Sequence, residues 1–361
     1  MNGSIPGRRA RAWVEVDLAA IVENARTVAR IAGTRLLPVL KANAYGLGAV
    51  AVAKALEPLE PWGYGVATPD EGAELRAGGI SRPVLVFMPA PATLFPEYER
   101  FRLTPALGDA ATIQAWTARS TRPFQLEIDT GMGRSGVRWD EIDALRTAAE
   151  TPALEGCYTQ FHSADRRDAT TDEQLTRFTS AVSRLARRPA LLHVANSAAA
   201  LWDRRFALDL VRPGVFLYGA SPGPGFPAPR PVMSLRARVL AVRRVAAGDS
   251  VSYNASWRAP RNTTVATVGI GYADGLRRTV ALASRGTVLL GGRRHRVIGA
   301  VTMDLTMVET GDAPVAVGDV ATLVGEADGE RIGLEELCEW SGELQRAVLT
   351  SLGPRLPRVY D

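Results

Sequence analysis

The sequence predicts an α/β protein: a (β/α)8 barrel of the TIM type, followed by a mostly β C-terminal domain. In the first two thirds of the chain, short apolar runs alternate with longer amphipathic stretches. A proline-rich segment at 220–231 then ends this pattern, and the remaining sequence alternates apolar and polar residues between glycine turns. Strands that alternate with helices predict parallel βα units, whereas alternation at every second residue predicts half-buried strands.

Eight apolar runs are the candidate barrel strands. The stretches between them have helical spacing, as in "DEQLTRFTSAVSRLARR". Eight such units are typical of a TIM barrel. A doubly wound sheet is the alternative, but no G-x-G-x-x-G follows the first run. The predicted strands cover residues 36–40, 64–68, 83–87, 103–107, 124–129, 157–161, 191–195 and 208–212.

The segment "ASPGPGFPAPRP" is the predicted domain boundary. Its five prolines exclude a helix and indicate a stiff linker. We therefore expect the barrel to cover residues 12–230 and the β domain to cover 231–361. Residues 1–11 are expected to form an N-terminal segment that packs with the β domain.

Composition narrows the class of protein. The chain has 361 residues, 46% of them hydrophobic, and a formal net charge of +5. Its arginines are scattered among acidic residues, so no basic patch predicts nucleic-acid binding. The sequence has neither a membrane-spanning apolar run nor a signal peptide, which favours a cytoplasmic protein. Two distant cysteines predict neither a disulfide framework nor a metal site.

Polar residues follow the predicted strands at the end where TIM barrels hold their active sites. Lys41 is the most informative, because only two of the 43 Lys and Arg residues are lysines. A lysine that is desolvated in a barrel mouth has a lowered pKa and becomes a nucleophile toward carbonyl groups. An ordinary surface lysine is the alternative. The other residues that follow the strands are Arg134, Gln160, His162, Asn196, Ser197, Arg212 and Gly214.

A series of motifs resembles the alanine racemase family. In chain order they are "VLKANAYGLG", "DTGMGRSGV", "HVANSAA", "VRPGVFLYG", "VSYNASW", "GYADG", "MDLTMV" and "GPRLPRVY". The resemblance implies a barrel that binds pyridoxal 5'-phosphate (PLP), a β domain, and a head-to-tail homodimer with a shared active site. It also implies interconversion of L- and D-alanine, which supplies D-alanine for peptidoglycan.

The resemblance assigns the two catalytic bases and most cofactor contacts. Lys41 would bind PLP covalently and act as one base, and Tyr253 of the partner subunit would act as the second. Two bases on opposite faces of the α-carbon suit racemisation. Arg212 would face the ring nitrogen as a donor only. The expected contacts of the phosphate and its surroundings are Tyr45, Asn196, Ser197, Gly214 and Val215.

Other matched positions concern the substrate. Arg134 resembles the arginine near the phenolic oxygen of PLP and the substrate carboxylate, for which a forked donor is suited. Met303 and Asp304 match a β-domain loop that reaches the partner's site, although Met303 could be a packing residue. Tyr272 is expected to line the approach to the site.

Three positions depart from the family pattern; one is Pro354, which precedes "RLPR" where some members have a tyrosine. Glu127 stands where a lysine is common, and we hypothesise that its carboxylate pairs with Arg134. Gln160 stands where a histidine usually connects the ring arginine to the catalytic tyrosine, and an amide cannot carry charge. His162 would lie on the same face if the strand continued, and could then replace that imidazole. The alternative is a rim or packing role.

These departures keep other functions open. The chain could be a racemase or epimerase of a different amino acid in a specialised pathway. A non-catalytic PLP-binding barrel is a further alternative, although "VSYNASW" argues against it. PLP decarboxylases of the same barrel type are another, but their signatures near the substrate carboxylate are not seen.

Overall fold

The computed structural model describes residues 10–282 and 286–361 and divides the chain into two compact units. One unit is Ile21–Arg230; the other joins the chain up to Ala20 with Pro231–Asp361. Most of the predicted N-terminal segment, residues 1–9, lies outside the described residues. No helix in the described ranges is long and apolar enough to cross a membrane.

Ile21–Arg230 contains a barrel of parallel strands, as the sequence predicts. Six strands pair in succession from Tyr64–Val66 to Leu191–His193. The ring is completed by pairing of Leu210–Val211 with Arg35–Leu36, and by isolated bridges from Asn196 to Arg212 and from Val39 to Gly65. The barrel strands in the described chain are Arg35–Leu36, Tyr64–Val66, Val84–Pro89, Thr104–Leu107, Phe124–Asp129, Leu154–Tyr158, Leu191–His193 and Leu210–Val211.

Helices surround these strands and are fixed by local capping. Thr68 and Glu71 form a capping box at the start of one helix, and Asp109 and Asp168 cap two others. The strands themselves are almost entirely buried, which explains their continuous apolar runs. The helices of this part are Leu18–Ala32, Ala49–Leu56, Pro69–Ala77, Phe95–Arg100, Ala110–Arg119, Ala169–Ser183 and Ser197–Trp202.

The sixth barrel strand lies earlier than predicted. The sequence favoured 157–161, but the strand is Leu154–Tyr158, and its last pair joins Tyr158 to Glu127 in the preceding strand. Gln160 and His162 therefore lie beyond the strand, in a segment without regular structure. The prediction ran too far because Phe161 is apolar. Phe161 is buried by tertiary packing, although it lies beyond the last paired residue of the strand.

The second unit is mostly β, as predicted. In the described residues, the long strand Met233–Val245 pairs with both Thr263–Val268 and Val320–Ala327 and so closes the sheet on itself. Near the end are the helices Leu334–Ser341 and Gln345–Ser351. The remaining strands of this closed part are Thr287–Leu290, Arg293–Ile298 and Thr306–Glu309.

The first strand of the chain belongs to this β unit. Ala12–Val16 pairs antiparallel with Met233–Val245 and parallel with Arg358–Tyr360. The sequence placed residue 12 at the start of the barrel part, whereas these ladder hydrogen bonds join residues 12–16 to the sheet. Segment 220–231 has no helix or strand, as its prolines require.

Candidate active site

Lys41 begins a turn of unusual backbone geometry at the barrel mouth. The next four residues, Ala42 to Tyr45, have φ values of 53°, 54°, 53° and 54°. These values are those of a left-handed helical turn, which costs about 1–2 kcal/mol per residue for side chains other than glycine. Gly46 and Gly48 continue with positive φ. Strain of this kind is characteristic of functional sites, where surrounding contacts hold it.

Tyr45 leaves this turn and lies in a cluster of hydroxyl and backbone N–H groups. Its ring stacks on Tyr218 with centroids 4.6 Å apart. The Ser197 hydroxyl accepts the Gly214 N–H at 2.9 Å, so its own proton remains able to bind another acceptor. A Cβ at residue 214 would lie 2.7 Å from the Tyr45 hydroxyl oxygen, so only glycine permits this approach.

Asn196 and Val215 complete this corner of the barrel. The Asn196 side chain accepts the Ala199 N–H at 3.1 Å and thereby caps the helix Ser197–Trp202. Val215 begins a short 3-10 turn directly after Gly214. Asn196 and Val215, both predicted cofactor contacts, are thus the chain neighbours of Ser197 and Gly214, which are hydrogen-bonded to each other.

Arg212 is a buried cation at the end of the last barrel strand. Its guanidinium donates to the carbonyl oxygens of Thr159, His193 and Val194 at 2.7, 2.8 and 3.3 Å. The Gln160 Oε1 atom accepts a further, long hydrogen bond at 3.4 Å. Burial lowers the pKa of Arg212 to about 10, so the group stays protonated at neutral pH.

His193 orients Arg212, and sequence reasoning missed it as a site residue. Its Nδ1 lies 2.9 Å from an Arg212 nitrogen and must accept, because a guanidinium only donates. The ring proton is therefore on Nε2, which donates to Gln125 at 2.5 Å. Burial, followed by the Arg212 charge, holds the pKa of His193 well below its ordinary value. The one sequence feature that could have indicated this role is its position in "HVANSAA", as the last residue of the strand Leu191–His193.

Glu127 and Arg134 approach each other as the sequence suggested. Their closest nitrogen and oxygen atoms are 3.8 Å apart, with Glu127 buried and about half of the Arg134 side chain exposed. Burial raises the pKa of Glu127, while the Ser135 hydroxyl and Arg134 counteract that rise. Asp129 shapes the intervening loop by accepting the N–H groups of Gly131 and Gly133.

Gln160 and His162 diverge. The Gln160 amide faces Arg212 through its oxygen, and its nitrogen donates to the Phe161 carbonyl at 3.0 Å. The exposed His162 ring instead lies with Nδ1 2.7 Å from the Ser163 hydroxyl. The chain leaves the strand before His162, so these two side chains do not share a strand face.

The candidate residues of the β unit form a separate group. Tyr253 lies on a 3-10 turn between two short paired strands and is 71% exposed. A groove of about 910 Å³ beside it is lined by Leu240, Leu305 and Met307, among others. Tyr253 therefore presents its phenol to solvent at the edge of a concave, partly apolar surface.

Tyr272, Met303 and Asp304 lie on two segments that are hydrogen-bonded to each other. The Tyr272 N–H donates to the Thr302 carbonyl at 2.9 Å, and Asp304 forms an ion pair with Arg355 at 2.6 Å. The side chains of Tyr272 and Met303 are substantially exposed. The loop that carries Met303 thus has a defined conformation within its own unit.

Comparisons with known proteins assign the class. The family model for the alanine racemase N-terminal domain matches residues 16–222, and that for the alanine racemase C-terminal domain matches 232–360. Together with the barrel and the β unit, these matches define an amino-acid racemase. The chain belongs to the alanine racemase family.

Similar proteins cover nearly the whole chain. The alanine racemase of Carboxydothermus hydrogenoformans is 37% identical over 96% of this chain and 99% of its own length. The enzyme of Sorangium cellulosum is 39% identical over 96% and 98%. The Bacillus anthracis alanine racemase with bound L-Ala-P superposes with a TM-score of 0.90 at 33% identity, covering 98% of this chain and 95% of that one. The Bartonella henselae enzyme with covalently bound pyridoxal phosphate gives 0.88 at 30% identity, covering 98% and 100%.

Proposed function

We propose that this chain is a PLP-dependent racemase that interconverts L- and D-alanine and supplies D-alanine for peptidoglycan. The observation that carries the proposal is the gathering of a lysine, a buried arginine and a hydroxyl-rich corner at one end of the barrel. The relatives named as alanine racemases support alanine as the substrate.

The residues present fit PLP by the chemistry of their polar groups. The phosphate is an anion, and the hydroxyls of Tyr45 and Ser197 with the Val215 N–H would donate hydrogen bonds to it, while the Gly214 N–H orients the Ser197 hydroxyl. The side-chain oxygen of Asn196 keeps the start of the neighbouring helix in place. The glycine at 214 also leaves the space that a Cβ would fill.

Lys41 and Arg212 have different tasks in this proposal. Bound PLP would withdraw electrons from the substrate and make the α-proton acidic. Lys41 would hold the cofactor covalently through its primary amine and exchange a proton at the substrate α-carbon. Arg212, held by neutral acceptors, would direct an N–H toward the ring nitrogen and discourage its protonation.

Tyr253 of the partner subunit would exchange the proton on the opposite face of the α-carbon. Its strong exposure in a single chain favours a homodimer in which a second copy covers it. Met303 and Asp304 would approach the substrate from the same subunit as this tyrosine, and Tyr272 would line the approach. No residue in this group needs a metal ion for its role.

Arg134 would bind the substrate carboxylate, supported by Glu127. A buried carboxylate beside a half-exposed guanidinium restrains the arginine's direction while leaving donors for a ligand. Gln160 is neutral, so the Tyr253 phenol would lack the ionisable group that a histidine at position 160 usually supplies in the family. His162 would serve only at the rim.

Proton exchange at the α-carbon tests this function. L-alanine, L-serine and larger L-amino acids are incubated with the holoenzyme in deuterated buffer, and deuterium is measured in each separated enantiomer. We expect deuterated D-alanine to form fastest, and Lys41→Ala and Tyr253→Phe to abolish most of it, because each removes one of the two bases. Faster turnover of another amino acid would reassign the substrate.

The other lysine provides a matched control. Lys54 is exposed on the helix Ala49–Leu56, and Lys54→Ala should retain full turnover. Borohydride reduction in the presence of PLP, followed by peptide mass spectrometry, should label Lys41 and leave Lys54 unlabelled. Deuterated L-alanine without any D-alanine would contradict the racemase proposal, since it would mean that only one face exchanges.

A further inference from the structure

The turn that carries Lys41 needs an external partner for its first amide. Ala42 is the first residue with left-handed geometry, and an N–H at the start of a helical turn has no acceptor within that turn. Its acceptor is the Glu71 carboxylate, whose Oε1 atom lies 2.7 Å away. Glu71 is 29 positions further along the chain.

The second oxygen of Glu71 is committed elsewhere. Oε2 accepts the N–H groups of Ala67 at 2.6 Å and Thr68 at 3.4 Å. In return, the Glu71 N–H donates to the Thr68 hydroxyl, which completes the capping box of the helix Pro69–Ala77. One carboxylate thus joins the end of the second barrel strand to the turn that follows the first.

Both oxygens of Glu71 act as acceptors, and this requirement is chemically specific. A carboxylate has two acceptor oxygens, whereas the amide of glutamine has one acceptor and one donor group. Glutamine of the same size would direct its NH2 group at the Ala42 N–H or at the Ala67 N–H. The capping box alone could tolerate the substitution of Glu71 by glutamine, because glutamine also occurs at this position of capping boxes.

We propose that Glu71 is a positioning residue that holds the left-handed turn Ala42 to Tyr45 and thereby directs the Lys41 and Tyr45 side chains. That the direction of these two side chains matters for PLP binding rests on the proposed function. That Glu71 stabilises the turn does not rest on it, because this follows from the hydrogen bonds of Glu71 alone. Glu71 is not among the residues assigned above to cofactor or substrate, and both of its carboxylate oxygens accept backbone N–H groups.

The test compares Glu71→Gln with Thr68→Val. Thr68→Val removes the hydroxyl that caps the helix but keeps the carboxylate on the Ala42 N–H. Hydrogen exchange of the protein without PLP measures the hold on the turn directly. We expect Glu71→Gln to accelerate exchange in residues 41–46 by about 10-fold or more, and Thr68→Val to leave this segment close to wild type.

Titration of the same proteins with PLP, monitored by absorbance, measures how the change in the turn affects PLP affinity. Glu71→Gln should weaken PLP binding by about 10-fold or more, with Thr68→Val within about twofold of wild type. Wild-type exchange at 41–46 in Glu71→Gln, or equal effects of the two variants, would overturn the proposal. A wild-type protein that failed to bind PLP would contradict the proposed function, whereas the exchange result would still decide the role of Glu71.

Discussion

His193 is neutral because its two neighbours fix both ring nitrogens. Arg212 donates to Nδ1, and Gln125 accepts the proton of Nε2. A second proton, on Nδ1, would point at an N–H group of Arg212, so that two donors would face each other in the buried interior. Protonation of His193 therefore competes with the folded arrangement around Arg212.

This arrangement predicts a pH-dependent loss of stability. The folded pKa of His193 lies below the ordinary value of about 6.5, so between these values the unfolded chain binds the additional proton. The free energy of unfolding should then fall as the pH falls below about 6.5, by up to about 1.4 kcal/mol per pH unit for this one group. Urea unfolding across this range measures it.

His193→Gln is the matched variant, since its amide can accept from Arg212 and donate to Gln125 without titrating. The difference between wild type and variant isolates His193 from other titrating groups, Glu127 among them. Parallel pH curves for the two proteins would contradict the prediction. So would a His193 ring that titrates near about pH 6.5 by nuclear magnetic resonance; the chain has only three histidines, which makes its signals easy to assign.

At the level of single residues, strand-end positions were the most predictable. Lys41 stood out because only two of the 43 Lys and Arg residues are lysines, and the barrel rule predicts the end of the barrel at which Lys41 and Arg212 lie. His193 did not, since a histidine inside an apolar run is equally typical of core packing. Its role depends on a contact with Gln125, which is 68 positions away. The motif "HVANSAA" marks the position of His193 near a strand end, but no local pattern predicts its contact with Gln125.

Single elements follow the sequence where local chemistry decides them. Phe124–Asp129 has the predicted bounds, and the helix Ala110–Arg119 begins after Asp109, whose side chain caps it. The turn after Lys41 could not be predicted, because alanine disfavours left-handed geometry and Asn43 alone, which tolerates it, does not indicate four such residues in a row. The Ala42 N–H donates to Glu71, which is 29 positions away, and a contact at that separation is visible only after folding.

A cluster of charges around the buried Asp274 organises the two β-unit segments that carry Tyr272 and Met303. Asp274 is fully buried and accepts two hydrogen bonds from Arg11, at 2.9 and 2.7 Å. Arg355 approaches the same carboxylate at 3.2 Å and also pairs with Asp304. The carboxylate of Asp274 thus balances two guanidinium groups beside the loop.

Asp274→Asn should destabilise the protein by about 1–3 kcal/mol, because it removes the buried carboxylate that accepts from Arg11 and pairs with the partly exposed Arg355. Asp328→Asn is the control: this residue is exposed in the same unit, and the change should cost less than about 0.5 kcal/mol. Urea unfolding measures both. Equal stabilities of the two variants would show that the cluster contributes no more than a surface charge.

At the scale of the whole chain, the alternation of strands and helices was sufficient to predict a barrel and then a β domain. The membership of Ala12–Val16 was not predictable in this way. Its partners begin at Met233 and Arg358, so the pairing joins the two ends of the sequence. Hydrophobic alternation identifies such a strand but does not specify which distant strand it joins.

The proposed sharing of the active site between two copies makes a quantitative prediction. Lys41→Ala and Tyr253→Phe are each expected to be nearly inactive as homodimers. In a heterodimer of the two, one site would combine the intact Lys41 of one chain with the intact Tyr253 of the other. The second site would carry both substitutions. Random reassociation of equal amounts should therefore restore about a quarter of wild-type activity, since half the dimers are mixed and each has one intact site.

Differently tagged variants, dissociated and reassociated together, provide the measurement, with reassociated Lys41→Ala alone as the control. Purified mixed dimers should reach about half of wild-type activity per dimer. If Lys41 and Tyr253 of the same chain formed each site, every site in the mixture would retain one defect and no activity would return. That result would contradict the shared site even if alanine racemisation itself were established, because complementation depends only on which chain supplies each base.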